Sequence, residues 1–342
     1  MTGRGVLLIA ALILLAAPVR ATAQSAYLRV VDVGAGLCVI AVTPDGHAML
    51  YDAGRGQPLC RQAVDEIVTS DVLDLVVLSH SDSDHVRELV AILNDNRARR
   101  IIHPGDPRGE ILGPIREAIA EEPGADVWNL SERPVAGGRR FRIGGATATF
   151  VAGWSDGEDT RGEGEPSLLS EPAMRNNALS TVIRFEFGGH SVLLTGDTVG
   201  RPDSPDYTLC RYAERIMVEN IANVPLQSDV LIGQHHGADN ATSNCFIRAV
   251  RPTFVVFSAG HQHRHPRQSA ADRLVAFGVE PSNIFRTDRG DDEGGVGRKR
   301  EWLWDSLRDC VDKPGDDDVE IHLPSDPDED VRVAYRTPIN RC

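Results

Sequence analysis

Apolar and polar positions alternate at the start of the chain and predict two strands, over residues 27–33 and 37–42, on either side of Gly34-Ala35-Gly36. Pro44-Asp45-Gly46 marks a turn into a third strand at 47–51, which ends at Asp52-Ala53-Gly54. Leu59, Val64, Ile67 and Val68 then recur at helical spacing and predict a helix over 59–69. Residues 75–78 are continuously apolar, the pattern of a short strand buried on both faces. That run passes through Ser79 into His80-Ser81-Asp82-Ser83-Asp84-His85, and 86–93 reads as a helix. Further strands are predicted at 100–102, 146–151, 181–187, 191–194, 230–232 and 253–257. Helices fit 114–121, 207–219, 269–277 and 301–307, with Pro114 suited to a first helical position and Ser269 to an N-cap. Hairpins open each half of the chain and strands alternate with helices after them, which is an α/β pattern. Residues 155–175 are polar, rich in Gly and Glu, and without a period, which predicts a long surface loop.

Composition divides the chain further. Met1-Thr2-Gly3-Arg4 is a cationic start, 6–17 is an unbroken apolar run, and Ala21-Thr22-Ala23 has the small-x-small pattern of a signal-peptidase site. A helix of that length rises roughly 18 Å, short of a hydrocarbon core of about 30 Å. Residues 1–23 are therefore expected to be a cleaved signal peptide. The mature protein would be exported, periplasmic or extracellular, with no stable membrane association. Residues 24–300 would form the main domain. Residues 301–342 form an acidic extension in which Asp316-Asp317-Asp318 and the acids of 326–330 flank two alternating segments, 319–323 and 331–335, that suit a hairpin. Formal net charge is −14, and losing Arg4 and Arg20 with the leader makes it more negative still. Such a surface disfavours binding nucleic acid through a broad basic face.

Export changes the meaning of the cysteines. Cys38, Cys60, Cys210, Cys245, Cys310 and Cys342 all follow the leader, and six in an oxidising compartment suggest disulfides. Neighbour pairing is the expectation: Cys38 with Cys60, Cys210 with Cys245, and Cys310 with Cys342. Buried free thiols are the alternative.

Histidine and aspartate gather at strand ends. His80, Asp82, Asp84 and His85 follow one buried strand, Asp197 another, His235 and His236 a third, and His261, His263 and His265 a fourth. Active residues of α/β folds collect at such ends. Asp82, Asp84 and Asp197 would repel one another unless a cation joined them, and imidazole with carboxylate suits one or two divalent transition ions. His47, His103, His190 and His322 match no motif and read as ordinary residues.

The segment His80 to His85 resembles the H-x-[HD]-x-D-H motif of the metallo-β-lactamase fold, and Asp at its second ligand place resembles the ComEC-like competence branch. Further pieces follow in the same order. Val31-Asp32-Val33-Gly34-Ala35-Gly36 resembles V-D-V-G-Q-G, with Ala35 in place of Gln, and Asp52-Ala53-Gly54 resembles D-A-G. Asn176-Asn177-Ala178-Leu179-Ser180, Leu194-Thr195-Gly196-Asp197 and the run from Asp229 to His235-His236-Gly237 resemble N-N-x-S, L-T-G-D and D-V-L…H-H-G. Gly260 to His265-Pro266 and Arg286-Thr287-Asp288 resemble G-H-P and R-T-D.

The resemblance implies an αββα sandwich with a small C-terminal extension. It implies that His80 and Asp82 hold a first ion, that Asp84 and His85 hold a second, that Asp197 bridges, and that His235 completes the set. His236, Asn176, Asn177 and Asp52 are implied as supporting residues or alternative ligands. Asn176 or Asn177 stands where many family hydrolases supply His, which leaves the first ion one imidazole short. Zinc is the first expectation and manganese the harder alternative. Asp84 would orient the nucleophile, and His265 would protonate the leaving group or contact substrate.

The function implied is an exported metal-dependent hydrolase that attacks a phosphodiester with a hydroxide held on the metal. A lactone or β-lactam hydrolase is the alternative, although Asp82 in place of His is atypical there. A non-catalytic binding protein that keeps the fold is the second alternative, and the nearly full ligand set argues against it. The expected partner is a small anionic or ester-type substrate, with short nucleic acid among the candidates.

Overall fold

The opening alternation folds into three antiparallel strands, β1 (Ser25–Val30), β2 (Val39–Val42) and β3 (Ala48–Tyr51). The computed structural model describes residues 24–105, 113–135, 137–153, 172–200, 206–260, 265–289 and 315–337. The leader, most of 155–175, the helix expected at 301–307, His261, His263, Cys310 and Cys342 lie outside the described residues.

After β3 come α1 (Leu59–Ile67), β4 (Val72–Leu73), β5 (Leu75–Val77), α2 (Ser83–Val86), α3 (Leu89–Asp95), β6 (Arg97–Ala98), β7 (Arg100–His103), α4 (Gly113–Glu121) and β8 (Asp126–Asn129). The second half runs β9 (Arg140–Ile143), β10 (Ala146–Ala152), α5 (Pro172–Ala178), β11 (Val182–Phe187), β12 (His190–Leu194), α6 (Tyr212–Glu219) and β13 (Val230–Ile232). It continues with α7 (Asn244–Val250), β14 (Phe254–Phe257), α8 (Gln268–Ala276), β15 (Ile284–Arg286), β16 (Val319–Pro324) and β17 (Arg332–Tyr335). Strands β4, β6, β8, β9 and β15 and helices α5 and α7 are additions to the elements expected from the sequence. Each is seven residues or fewer, too short for its period to show.

Two large sheets result, ordered β17-β16-β1-β2-β3-β5-β7-β8 and β15-β14-β13-β12-β11-β10-β9. In each, hairpin pairing gives way to parallel strands: β3, β5, β7 and β8 in the first, and β12, β13, β14 and β15 in the second. The sheets face each other across one core that includes Leu28, Met49, Val77, Phe150, Phe185 and Ile232. The outer face of the first sheet buries Leu50 and Val76 against α1, α3 and α4, through Val64, Ile92 and Ile115 among others. The outer face of the second buries Leu231 and Val255 against α6, α7 and α8, through Met217, Phe246 and Leu274. This is a four-layered αββα sandwich. Truncating a fully buried core aromatic such as Phe185 to Ala would cost about 3–5 kcal/mol.

Three local expectations are corrected. The helix expected at 86–93 is divided into α2 and α3, with α2 beginning inside the His-Asp motif at Ser83. The helix expected from 207 begins at Tyr212, whose φ of 45° is not helical. Ser269 is not an N-cap: Arg267 holds that position, and the Ser269 hydroxyl donates to the Asp239 carboxylate.

The acidic C-terminal segment forms the β16–β17 hairpin. It lies against the edge of the first sheet, with β16 antiparallel to β1 from Ser25↔Pro324 to Val30↔Val319. Disulfides join Cys38 to Cys60 and Cys210 to Cys245, as neighbour pairing anticipated.

Candidate metal centre

Five strand ends meet at one rim of the sandwich. Asp52 follows β3, His80 follows β5, Asp197 follows β12, His235 and His236 follow β13, and Ser258 follows β14. The motif spacing is set by what the chain does after each strand. Gly196 allows the β12 turn to pass β5, because a Cβ there would lie 2.5 Å from Ser79 Cβ. His235 and His236 both take left-handed backbone angles, φ 46° and 54°, in a short turn over Gln234–Gly237. That region is sparsely populated for non-glycine residues, and the turn points the two rings in different directions.

The buried centre is built on Asp197. Its Oδ1 lies 3.4 Å from His85 Nε2, and its Oδ2 lies 3.4 Å from His236 Nε2 and 3.9 Å from both His80 Nε2 and His235 Nε2. Asp82 Oδ2 is 3.7 Å from His80 Nε2, and Asp84 Oδ2 is 3.9 Å from His236 Nε2. Two sets of ligand atoms are close enough to share an ion: His80, His85 and Asp197, and Asp84, His85 and His236.

Neighbouring groups fix which ring nitrogens carry protons. Asp52 accepts from Ser79 N–H at 2.6 Å and from the Ser79 hydroxyl at 2.7 Å, and its Oδ2 accepts from His85 Nδ1 at 2.7 Å. Ser79 Oγ has spent its proton on Asp52, so at 2.9 Å it accepts from His80 Nδ1. His236 Nδ1 donates to the Ser258 carbonyl at 2.7 Å. Each of these three rings therefore turns its Nε2 toward Asp197, the arrangement by which supporting hydrogen bonds orient metal-binding imidazoles. His80 Nε2 and Asp197 Oδ1 are buried with no hydrogen-bond partner among the described residues. Orphaned buried acceptors are costly, and a cation is the group that would satisfy both.

Charge follows the same logic. Burial raises the Asp197 carboxyl, but the rings of His236, His85 and His235 outweigh it and hold the group well below the usual carboxylate range. Burial opposes charge on His85, and Asp197 and Asp52 more than offset it, so its pKa rises well above that of ordinary imidazole. His236 is also raised, again by Asp197 against burial. Protons are thus drawn to the place where a cation would sit.

The structure brings together His80, Asp82, Asp84, His85 and Asp197 as expected. It also places His236, expected only as an alternative, inside the ligand cluster. His235 sits at the edge. Its Nδ1 donates to Asn240 Oδ1 at 2.7 Å, and its Nε2 accepts from the Asn177 amide at 3.1 Å, which engages both ring nitrogens. Asn176 donates to Asp82 Oδ1 and accepts from the Ser81 hydroxyl at 3.0 Å. The His265 ring stands 5.6 Å from that of His235 and 6.5 Å from that of His236. Burial first, and then His236 and His235, push its pKa down to about 3. Sequence reading did not single out Ser79, Asn240 or Ser258. Their one signal is a polar side chain placed directly after a buried strand or beside a motif.

The family profile of the metallo-β-lactamase superfamily matches residues 31–261, which contain every ligand candidate above. The chain belongs to the metallo-β-lactamase superfamily. Within it, the chain resembles the competence proteins of the ComEC-like branch. ComE operon protein 3 of Bacillus subtilis is 27% identical over 227 residues, covering 64% of this chain and 24% of that protein. Competence protein ComA of Neisseria gonorrhoeae is 26% identical over 283 residues, covering 80% of this chain and 33% of that protein. The chain thus spans about a quarter to a third of the curated relatives it matches. Among solved structures, the metallo-β-lactamase fold protein YhfI of Bacillus subtilis aligns with a TM-score of 0.46 at 13% identity, covering 76% of this chain and 95% of that one. The superfamily scaffold is of hydrolase type and binds one or two divalent ions, and the His and Asp donors of this metallo-β-lactamase member fit such ions.

Proposed function

We propose that this protein is an exported metal-dependent phosphodiesterase acting on small or short diesters. The observation that carries the reading is the buried Asp197 carboxylate, with Oδ1 lacking a hydrogen-bond partner among the described residues and the Nε2 atoms of four histidines 3.4–3.9 Å from its oxygens. We assign His80 and Asp82 to a first ion, Asp84, His85 and His236 to a second, and Asp197 to both. Asp82 and Asp197 make the first position carboxylate-rich, so manganese is favoured there over a purely zinc-type site. Two divalent ions among three carboxylates leave a local charge of about +1, which attracts a phosphodiester anion although the whole chain carries −14.

The ions, when bound, supply Lewis acidity and a water of lowered pKa. The chain supplies the positioning. Asp52, Ser79 and Ser258 hold the rings, and Asp84 presents its Oδ2 beside His236. His265 is neutral in this setting, so it serves as a hydrogen-bonding contact for the substrate rather than as an imidazolium acid. Export is supported by the leader pattern and the two disulfides. No helix among the described residues is long and apolar enough to cross a membrane.

The test is turnover of bis-p-nitrophenyl phosphate, nitrocefin and a simple lactone by the mature protein with zinc or manganese. The diester should be hydrolysed, and Asp197→Ala should abolish both turnover and metal retention. Hydrolysis of nitrocefin or the lactone with no diester turnover under either metal would replace this reading with the alternative hydrolase.

A further inference from the structure

Away from the metal centre, a second cluster of reactive side chains has no role assigned above. The Cys210–Cys245 disulfide joins the chain just before α6 to the first turn of α7. A carboxylate oxygen of Glu214, on α6, lies within 4.8 Å of both sulfurs. Glu214 is fully buried. Its Oε1 accepts the Ser243 N–H at 3.1 Å, and its Oε2 has no hydrogen-bond partner among the described residues.

No cation neutralises this carboxylate among the described residues. On its own helix Arg215 pairs with Glu219 at 2.8 Å, and Arg211 stands at the N-cap without an ion pair to Glu214. From α8, Arg273 donates to the Thr242 and Ala241 carbonyls. From α7 the facing titratable group is Cys245 itself, since Arg248 lies over the Phe277 ring. Burial raises the Glu214 pKa, and the hydrogen bonds from Ser243 lower it by less. The carboxyl therefore keeps its proton to higher pH than an exposed glutamate. With Oε1 accepting an N–H, that proton belongs on Oε2.

The two disulfides also differ in access. Cys38 and Cys60 are both 0% exposed, whereas Cys210 and Cys245 are half-buried and open to a reagent in solvent. An accessible disulfide with a buried acid behind it has what exchange requires: a sulfur to attack, and a proton for the sulfur that leaves.

We propose that Cys210 and Cys245 form a thiol–disulfide exchange site, with Glu214 as its proton donor and a dithiol as its substrate. A thiolate of the dithiol attacks one sulfur, makes a mixed disulfide and breaks the Cys210–Cys245 bond. The departing sulfur takes the electron pair of that bond and receives the Glu214 proton. The second thiol loses its proton to water and displaces the other cysteine, which is protonated by Glu214 after water has recharged the carboxyl. The dithiol leaves as a disulfide, and both cysteines are left as thiols. Two protons pass from dithiol to water and two from water to the cysteines through Glu214.

The experiment follows the opening of both disulfides in the folded mature protein by dithiothreitol, with timed samples alkylated and each cysteine read by mass spectrometry. Cys210–Cys245 should open before Cys38–Cys60. Its rate per unit of dithiothreitol thiolate should be highest at low pH and fall as pH rises through the raised Glu214 pKa, because the carboxyl then has no proton to give. Glu214→Gln keeps the shape and removes the proton, so it should slow opening by roughly tenfold or more, the low side of general acid catalysis, and flatten the profile. Circular dichroism checks that this variant folds, and if it does not, the parent's thiolate-corrected profile decides alone. A flat parent profile overturns the exchange site. So does opening no faster than that of Cys38–Cys60, or a folded Glu214→Gln variant with the parent's rate and profile.

Discussion

Asp52 and His85 form a buried carboxylate–imidazole pair at 2.7 Å, in which Asp52 takes the Nδ1 proton and leaves His85 Nε2 facing Asp197. Asp52 sits at φ 60°, and its second oxygen is held by the backbone of Ser79, so the end of β3 fixes the motif that follows β5. Asn has the same shape and tolerates that backbone angle, but it does not hold an imidazole with the same charge. Asp52→Asn should therefore fold and bind metal about 10–100-fold more weakly, as loss of an orienting partner does. Competition titration against a chromogenic chelator measures this, and an unchanged affinity would show that the pair is purely structural.

The two disulfides should contribute stability of about 2–4 kcal/mol each, since they close segments separated by 22 and 35 residues. Cys210→Ser with Cys245→Ser frees α6 from α7 and should lower the denaturant midpoint by a corresponding amount. Thiol counting on unfolded, unreduced protein should find at most two reactive cysteines, Cys310 and Cys342. A count of six would contradict both pairings.

His103 gives a pH signature. Burial lowers its pKa to about 4, against about 6.5 in an unfolded chain. Between those values the unfolded state binds the extra proton, so this residue's contribution makes stability fall as pH drops from about 6.5 toward 4. His103→Gln should flatten that part of the profile in denaturant titrations. A profile identical to the parent's would show that His103 is readily protonated in the folded protein.

The C-terminal hairpin covers an edge. Ala26, Leu28 and Val30 of β1 pair with Leu323, Ile321 and Val319 of β16, and all six are buried. Asp318 also accepts the Asp32 N–H at 2.9 Å, and Asp32 Oδ2 accepts the Gly315 N–H at 2.7 Å. Ending the chain before residue 315 would expose an apolar strand edge and release the loop that carries Gly34 to Gly36. Such a truncation should be recovered mainly as aggregate. A soluble monomer with the parent's metal affinity would show that the hairpin is dispensable.

Strand positions were legible in the sequence wherever a buried apolar run ended abruptly, as at Leu78, Leu194 and Ile232. The metal motif was legible for the same reason, because His80 to His85, Asp197 and the His235-His236 pair each follow such a run. The short strands β8 and β15 were not, since four or three residues carry too little periodicity. The hairpin at 319–335 was visible as a pattern, but its place beside β1 was not, because strand pairing across nearly 300 residues leaves no local trace.

The sequence by itself determined the donor types, their order and the strand ends on which they stand, because local hydrophobic pattern and motif spacing are properties of the chain. Only the tertiary structure shows what each of two adjacent histidines touches. His235 and His236 differ by one position in sequence, yet after the left-handed turn that follows β13 one ring hydrogen-bonds Asn177 and Asn240 at 3.9 Å from Asp197, and the other lies among Asp84, His85 and Asp197. Tertiary structure likewise placed His103, which matches no motif, in a cavity beside His80. Both outcomes depend on how two sheets are registered across a shared core, and that information resides in contacts between segments far apart in the chain.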